Sequence, residues 1–220
     1  MKIAQNLRKI KETLPEGVRL TAVSKFHPDE AIMEAYEAGQ RIFGENRVQE
    51  LAGKYERLPK DIEWHLIGHL QTNKAHIAVP IASMIQSVDS ERLLTVLDSE
   101  ALKCGKKLKI LLQVHIAQEE QKFGFRPDEA ASLFSSGKIK KYENLVPCGL
   151  MGMATFTDDS GQIRSEFRSL AALFRRIRAF PQTGDEFTEI SMGMSDDYPI
   201  AVAEGSTIVR IGSLIFGPRP

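Results

Sequence analysis

Strand-like and helix-like segments alternate along the whole chain, and this pattern restricts the fold more than any other feature. Short apolar or β-branched runs at 18–26, 41–44, 63–68, 84–88, 108–116, 145–153, 187–192 and 207–211 have the length and residue types of strands. The run at 108–116 is almost continuously apolar, as a strand buried on both faces should be. Helical segments fill the gaps. Acids follow Pro28 and Pro127 in first turns, Asp89-Ser90 and Ser195-Asp196-Asp197 stand where N-caps belong, and Gly39, Gly105, Gly137 and Gly205 close helices. Thr72 is placed to cap a helix over 75–79, and a helix carrying Val48, Leu51 and Tyr55 stops near Pro59. The segment 164–180 carries Phe167, Leu170, Leu173 and Phe174 on one face.

Such an alternation, with no long structureless stretch, predicts an α/β protein: a (β/α)8 TIM barrel formed as a single domain over residues 1–220. Ile3, Leu7, Ile10 and Leu14 add an amphipathic helix before the first strand, with no apolar core or cleavage site of a signal peptide. A doubly wound open sheet would need a glycine-rich phosphate loop after the first strand, and S-K-F-H-P-D at 24–29 is not one.

Composition bears on partners. With 29 basic and 29 acidic side chains the formal net charge is zero, which removes the electrostatic footprint of a dedicated nucleic-acid or acidic-membrane binder. No apolar run approaches the length of a membrane span. Cys104 and Cys148 lie far apart without metal spacing, so they read as free thiols in a reducing compartment, the cytoplasm.

In a barrel the residues at the carboxyl ends of the strands share one mouth: Lys25, Glu45-Asn46, His69, His115, Met153, Ser191 and 210–213. Lys25 is a candidate Schiff-base former, although on its strand alone a solvated surface lysine is the more common outcome. Gly212 and Ser213 follow the last strand, where barrels often cradle phosphate with backbone N–H groups, and Ser191 could add a hydroxyl. A strand and turn that need glycine only for its dihedrals would look the same. Arg210 interrupts the apolar strand T-I-V-R-I-G and requires a partner, either a carboxylate such as Glu189 or a heterocyclic nitrogen. Arginine opposite a pyridine nitrogen is one of the usual partners of pyridoxal phosphate, so lysine, phosphate cradle and arginine together describe a site for that cofactor. His65 and His69 have metal-pair spacing only on a helix, and W-H-L-I-G-H reads as strand, so no metal is expected.

The motifs A-V-S-K at 22–25, F-G-E-N-R-V-Q-E at 43–50, W-H-L-I-G-H-L-Q-T-N-K at 64–74, G-L-M-G-M at 149–153, S-M-G-M-S-D-D at 191–197 and G-S-T-I-V-R-I-G-S-L-I-F-G at 205–217 span essentially the whole chain. In this order they resemble the YggS/PROSC family of pyridoxal phosphate homeostasis proteins. The resemblance implies a barrel like the N-terminal domain of alanine racemase, with pyridoxal 5′-phosphate (PLP) held as an internal aldimine on Lys25. It implies that Arg210 faces the pyridine nitrogen, that Ser191, Gly212 and Ser213 hold the phosphate, and that Asn46 flanks the ring. Members control the free cofactor and its delivery to other enzymes without robust catalysis. The implied partners are therefore PLP, apo forms of PLP-dependent enzymes and amino acids, with the chain acting as a monomer.

Two residues depart from the pattern: bulky Phe123 in Q-K-F-G-F at 121–125, and His115 where an asparagine is expected. A PLP-dependent amino-acid racemase is the enzyme alternative. It is disfavoured because arginine does not protonate the ring nitrogen, and because the chain ends at Pro220, directly after the last strand, without a domain to supply a second base.

Overall fold

The computed structural model describes residues 2–118 and 123–218. Eight parallel strands form a closed barrel in sequence order: β1 Arg19–Val23, β2 Ile42–Glu45, β3 Glu63–Leu66, β4 Met84–Val88, β5 Leu108–Gln113, β6 Leu145–Met151, β7 Glu189–Ser191 and β8 Ile208–Ile211. The ring is completed by β8 against β1, where Thr21 faces Arg210 and Ala22 faces Ile211. The helices are α1 Lys2–Thr13, α2 Asp29–Glu37, α3 Val48–Arg57, α4 Ala75–Ile81, α5 Glu91–Lys103, α6 Pro127–Ser135, α7 Ser160–Arg178, α8 Tyr198–Ala203 and α9 Ser213–Phe216. Among the described residues no helix is long and apolar enough to cross a membrane.

The strand alternation produces two separate cores, because successive side chains point to opposite faces of the barrel wall. Outward residues such as Ile85, Ile110, Leu150 and Val209 pack beneath the helices in one large cluster. Inward residues Met84, Leu111, Cys148, Met151 and Ile208 form a second cluster that plugs the lumen. Each fully buried leucine or isoleucine contributes about 1.5–3 kcal/mol, so both layers stabilise the wall that carries the site.

Local signals match the predicted elements with two adjustments. Ser90 caps α5 by accepting from the Leu93 N–H at 3.3 Å. Thr72 instead opens a 3₁₀ turn ahead of α4, and Asp197, which precedes α8, accepts from the Met194 N–H at 2.5 Å and not from α8. Five strands, β1, β3, β5, β6 and β7, also stop short of the carboxyl ends of their apolar runs, where the loops diverge, whereas β4 and β8 end as expected and β2 runs one residue further, to Glu45. β1 ends at Val23, which leaves Lys25 in the loop above the barrel.

Candidate functional site

A cavity of about 490 Å³ opens at the carboxyl ends of the strands, within the usual range for small-molecule sites. Lys25, Asn46, Arg210, Gly212 and Ser213 all line it, brought together from the ends of β1, β2 and β8. Ser191 does not line it. That side chain is fully buried below, accepting from Arg210 Nη1 at 2.7 Å and donating to Gln86 Oε1 at 2.6 Å. Ser195, read from sequence only as part of a helix cap, is on the cavity wall instead.

The loop bearing Lys25 is clamped on both sides. Ser24 Oγ donates to Glu45 Oε1 at 2.6 Å, Lys54 Nζ donates to the Ser24 carbonyl at 2.8 Å, and the Phe26 N–H donates to Glu50 Oε1 at 2.6 Å. Lys54 also bridges Glu45 at 2.8 Å and Glu50 at 2.7 Å. Phe26 has φ of 67°, a left-handed conformation that costs a non-glycine residue about 1–2 kcal/mol and persists only when its surroundings impose it. These three side chains do so. Burial pushes the Glu45 carboxyl up to about 7 against the opposing pull of Lys54, and its Oε2 is buried without a partner.

Arg210 is 4 % exposed, and its Nη2 donates to the Gly152 carbonyl at 3.0 Å. Burial lowers its pKa to about 10, with the Asp197 charge opposing, so the guanidinium stays protonated at neutral pH. The expected Glu189 partner is corrected: Glu189 pairs with Arg19 at 2.6 Å. Register explains why. Ser191 lies opposite Ile208, so Glu189 sits two residues below that level and Arg210 two above it. At about 3.3 Å per residue they are separated by about 13 Å along the barrel.

Gly212 has φ of −119°, which any residue adopts, so its dihedrals do not demand glycine. A Cβ there would lie 3.1 Å from the Val23 carbonyl oxygen and 3.3 Å from Val23 Cβ, so glycine lets β8 close against β1. Directly after it, α9 begins with N–H groups that have no intrahelical acceptor. His27, on the far side of the Lys25 loop, stacks on Phe216 of α9 at 4.8 Å and ties the two ends of the site together.

The rim is apolar, with exposed Phe123, Phe156 and Met194 at the mouth. Phe123 stacks on His69 at 3.9 Å, and its carbonyl accepts from Gln113 Nε2 at 3.0 Å. Gln121 and Lys122 of the same stretch lie outside the described residues. The His115 N–H donates to the Phe125 carbonyl at 3.0 Å. His65 and His69 take separate partners, Gln86 and Asp89, and among the described residues no His, Cys, Asp and Glu cluster is fit to hold a metal ion.

The closed parallel barrel with an amine, a guanidinium and a helix start around one strand-end cavity defines a class, the (β/α)8 barrels with a small-molecule-sized cavity at the carboxyl ends of the strands. The family model for the alanine racemase N-terminal domain matches residues 1–220. A pyridoxal phosphate homeostasis protein of Pasteurella multocida is 36% identical over 233 residues, covering 100% of this chain and 98% of its own. The chain belongs to the family of pyridoxal phosphate homeostasis proteins within the alanine racemase N-terminal domain family.

Among solved structures, PipY of Synechococcus elongatus without PLP superposes with a TM-score of 0.92 at 40% identity, over 98% of this chain and 100% of that one. The same protein with PLP bound superposes with a TM-score of 0.88 at 39% identity and the same coverage. Alanine racemase of E. faecalis shares the fold, with a TM-score of 0.71 at 16% identity over 100% of this chain and 58% of that one.

Proposed function

We propose that this chain, taken whole over residues 1–220, binds pyridoxal 5′-phosphate and holds it for exchange with other proteins, as a component of intracellular PLP homeostasis. The observation that carries the reading is the convergence of Lys25, Arg210 and 212–213 on one cavity. The donor set fits each end of the cofactor: an amine for the aldehyde, a protonated guanidinium for the pyridine nitrogen, and backbone N–H groups for the phosphate. When bound, PLP supplies an aldehyde that condenses with amines and a ring that withdraws electrons.

Each residue then has a definite task. Lys25 supplies the amine, held by the clamp on Ser24 and Phe26. Gly212 and Ser213 bind phosphate with Ser195 alongside, and Asn46 flanks the ring. Ser191 contributes through Arg210, whose Nη1 it receives. Arg210 retains its own proton and donates a hydrogen bond, so it leaves the ring nitrogen unprotonated and the ring a weak electron sink. This favours a holder of the cofactor without robust catalysis over an amino-acid racemase. The reading extends to a monomer in the cytoplasm, supported by two free thiols and by a closed barrel that offers no strand edge for pairing. Recipient apo-enzymes and free amino acids are the partners.

Borohydride treatment of PLP-loaded protein, followed by peptide mapping, should leave a pyridoxyl group on Lys25 and nowhere else. A tag on another lysine would sink the assignment. In parallel, L- and D-alanine in deuterated water should show only slow α-proton exchange and no rapid inversion. Rapid inversion that disappears in Lys25→Ala would establish the racemase instead.

A further inference from the structure

An unbroken run of hydrogen bonds crosses the barrel beneath the cavity. Arg210 Nη1 donates to Ser191 Oγ at 2.7 Å, Ser191 Oγ donates to Gln86 Oε1 at 2.6 Å, and Gln86 Nε2 lies 2.8 Å from His65 Nδ1. The four residues come from β8, β7, β4 and β3, and all are buried.

The protons in this run have only one arrangement. A guanidinium only donates, so the Ser191 oxygen accepts from it and sends its single proton to Gln86 Oε1. The Gln86 nitrogen only donates, so His65 Nδ1 accepts and the imidazole carries its proton on Nε2. A neutral His65 is required, and burial supplies it by pushing the imidazole down to about 3, helped by the charges of Arg19 and Lys109. The charge on Arg210 thereby sets every donor and acceptor as far as β3. Both ends of its fork rest on neutral acceptors, a hydroxyl and the Gly152 carbonyl.

We propose that Gln86 and His65 are positioning residues for Arg210, holding the guanidinium plane toward the cavity while leaving its positive charge available to the pyridine nitrogen of the ligand. The proposal rests on the reading that Arg210 faces that nitrogen. Gln86 is the central member, because a side-chain amide can accept from Ser191 and donate to a neutral imidazole at once. A carboxylate of the same size cannot donate to Nδ1, draws a proton onto His65, and places negative charge one hydroxyl away from Arg210. A leucine leaves the Ser191 hydroxyl free to turn and His65 Nδ1 unpaired.

The test uses PLP and its 1-deaza analogue, which replaces the pyridine nitrogen by C–H and keeps the aldehyde and phosphate. Dissociation constants of both are measured by titration on the wild type, Gln86→Leu and Gln86→Glu, each first shown to melt cooperatively. A hydrogen bond from a charged donor should make the wild type prefer PLP by roughly tenfold or more. Gln86→Leu should shrink this preference to roughly threefold or less while changing affinity for the analogue little, since only the nitrogen contact depends on the aim of Arg210. His65→Ala should shrink it part of the way.

A wild type without preference overturns the placement of Arg210 against the ring nitrogen, and the proposal falls with it. A wild type with preference and a Gln86→Leu protein that keeps it overturns the positioning role alone. That role also falls if Gln86→Leu weakens both ligands equally, for equal weakening is general damage to the barrel. If Gln86→Leu does not fold, the isosteric Gln86→Glu decides: loss of preference supports the proposal and full preference overturns it.

Discussion

The cavity stands on two buried hydrogen-bonded assemblies of opposite character. The one around Lys25 is ionic, with Lys54 between Glu45 and Glu50. The one beneath Arg210 is neutral apart from the arginine, running through Ser191, Gln86 and His65. The difference follows from what each must do. The Lys25 loop has to be held in a backbone conformation it does not favour, and charge-assisted hydrogen bonds are the strongest restraint available. Glu45 and Lys54 exert it from behind the loop and do not line the cavity, so their charges stay off its wall. Arg210 lines the cavity, and a carboxylate hydrogen-bonded to it would neutralise the charge it presents there.

Removing Lys54 should break this contrast most severely. Above about pH 7, where Glu45 is ionised, Lys54→Met strips a buried carboxylate of its cation, and losing one partner of such a pair typically costs about 3–5 kcal/mol. Denaturant midpoints measure it, and Lys54→Met combined with Glu45→Gln should recover part of the loss. A single-variant cost below about 1 kcal/mol would place the pair among weak surface bridges, too weak to hold the loop.

A smaller and more selective effect belongs to Gly212. Gly212→Val forces atoms onto the Val23 carbonyl and displaces the start of α9, so PLP should weaken by roughly tenfold or more while unphosphorylated pyridoxal weakens little. Equal weakening of both would show that the substitution damaged the barrel wall and not a phosphate contact.

The shallowest effect is the pH dependence of the ionic side. Glu45 has its folded-state value raised to about 7 from an ordinary 4.5, so the native state binds its proton more tightly than the unfolded chain does. Its contribution to stability is therefore fully present below about pH 4.5 and is lost as pH rises through about 7. The stability of wild type relative to Glu45→Gln should fall across that window. A difference that stays flat or rises with pH would mean that Lys54 holds the carboxylate ionised throughout.

Much of the cavity lining is legible in the chain because it depends on position along a strand. Lys25, Asn46, Arg210, Gly212 and Ser213 each stand at or just beyond the end of an apolar run, and a parallel barrel brings those ends together whatever the details of packing. The supporting residues are another matter. Lys54 and Glu50 have the i, i+4 spacing of an ordinary solvated helix pair, and only the docking of α3 on β2 and β3 buries Lys54 to 3 % exposure. Gln86 sits in M-I-Q-S-V like any strand residue, and its partner Ser191 lies 105 positions away.

The sequence by itself determined the order of strands and helices, the closure that this order permits, and the reactive groups at the mouth. These follow from local periodicity, turn residues and chain direction, which act over a few residues at a time. The tertiary structure alone decided which polar side chains meet inside the lumen. It paired Glu189 with Arg19 and left Arg210 to neutral partners, and it turned Ser191 downward while placing Ser195 on the cavity wall. The reason is register: a shift of two residues along a strand keeps a side chain on the same face but moves it by about 7 Å, more than twice the reach of a hydrogen bond.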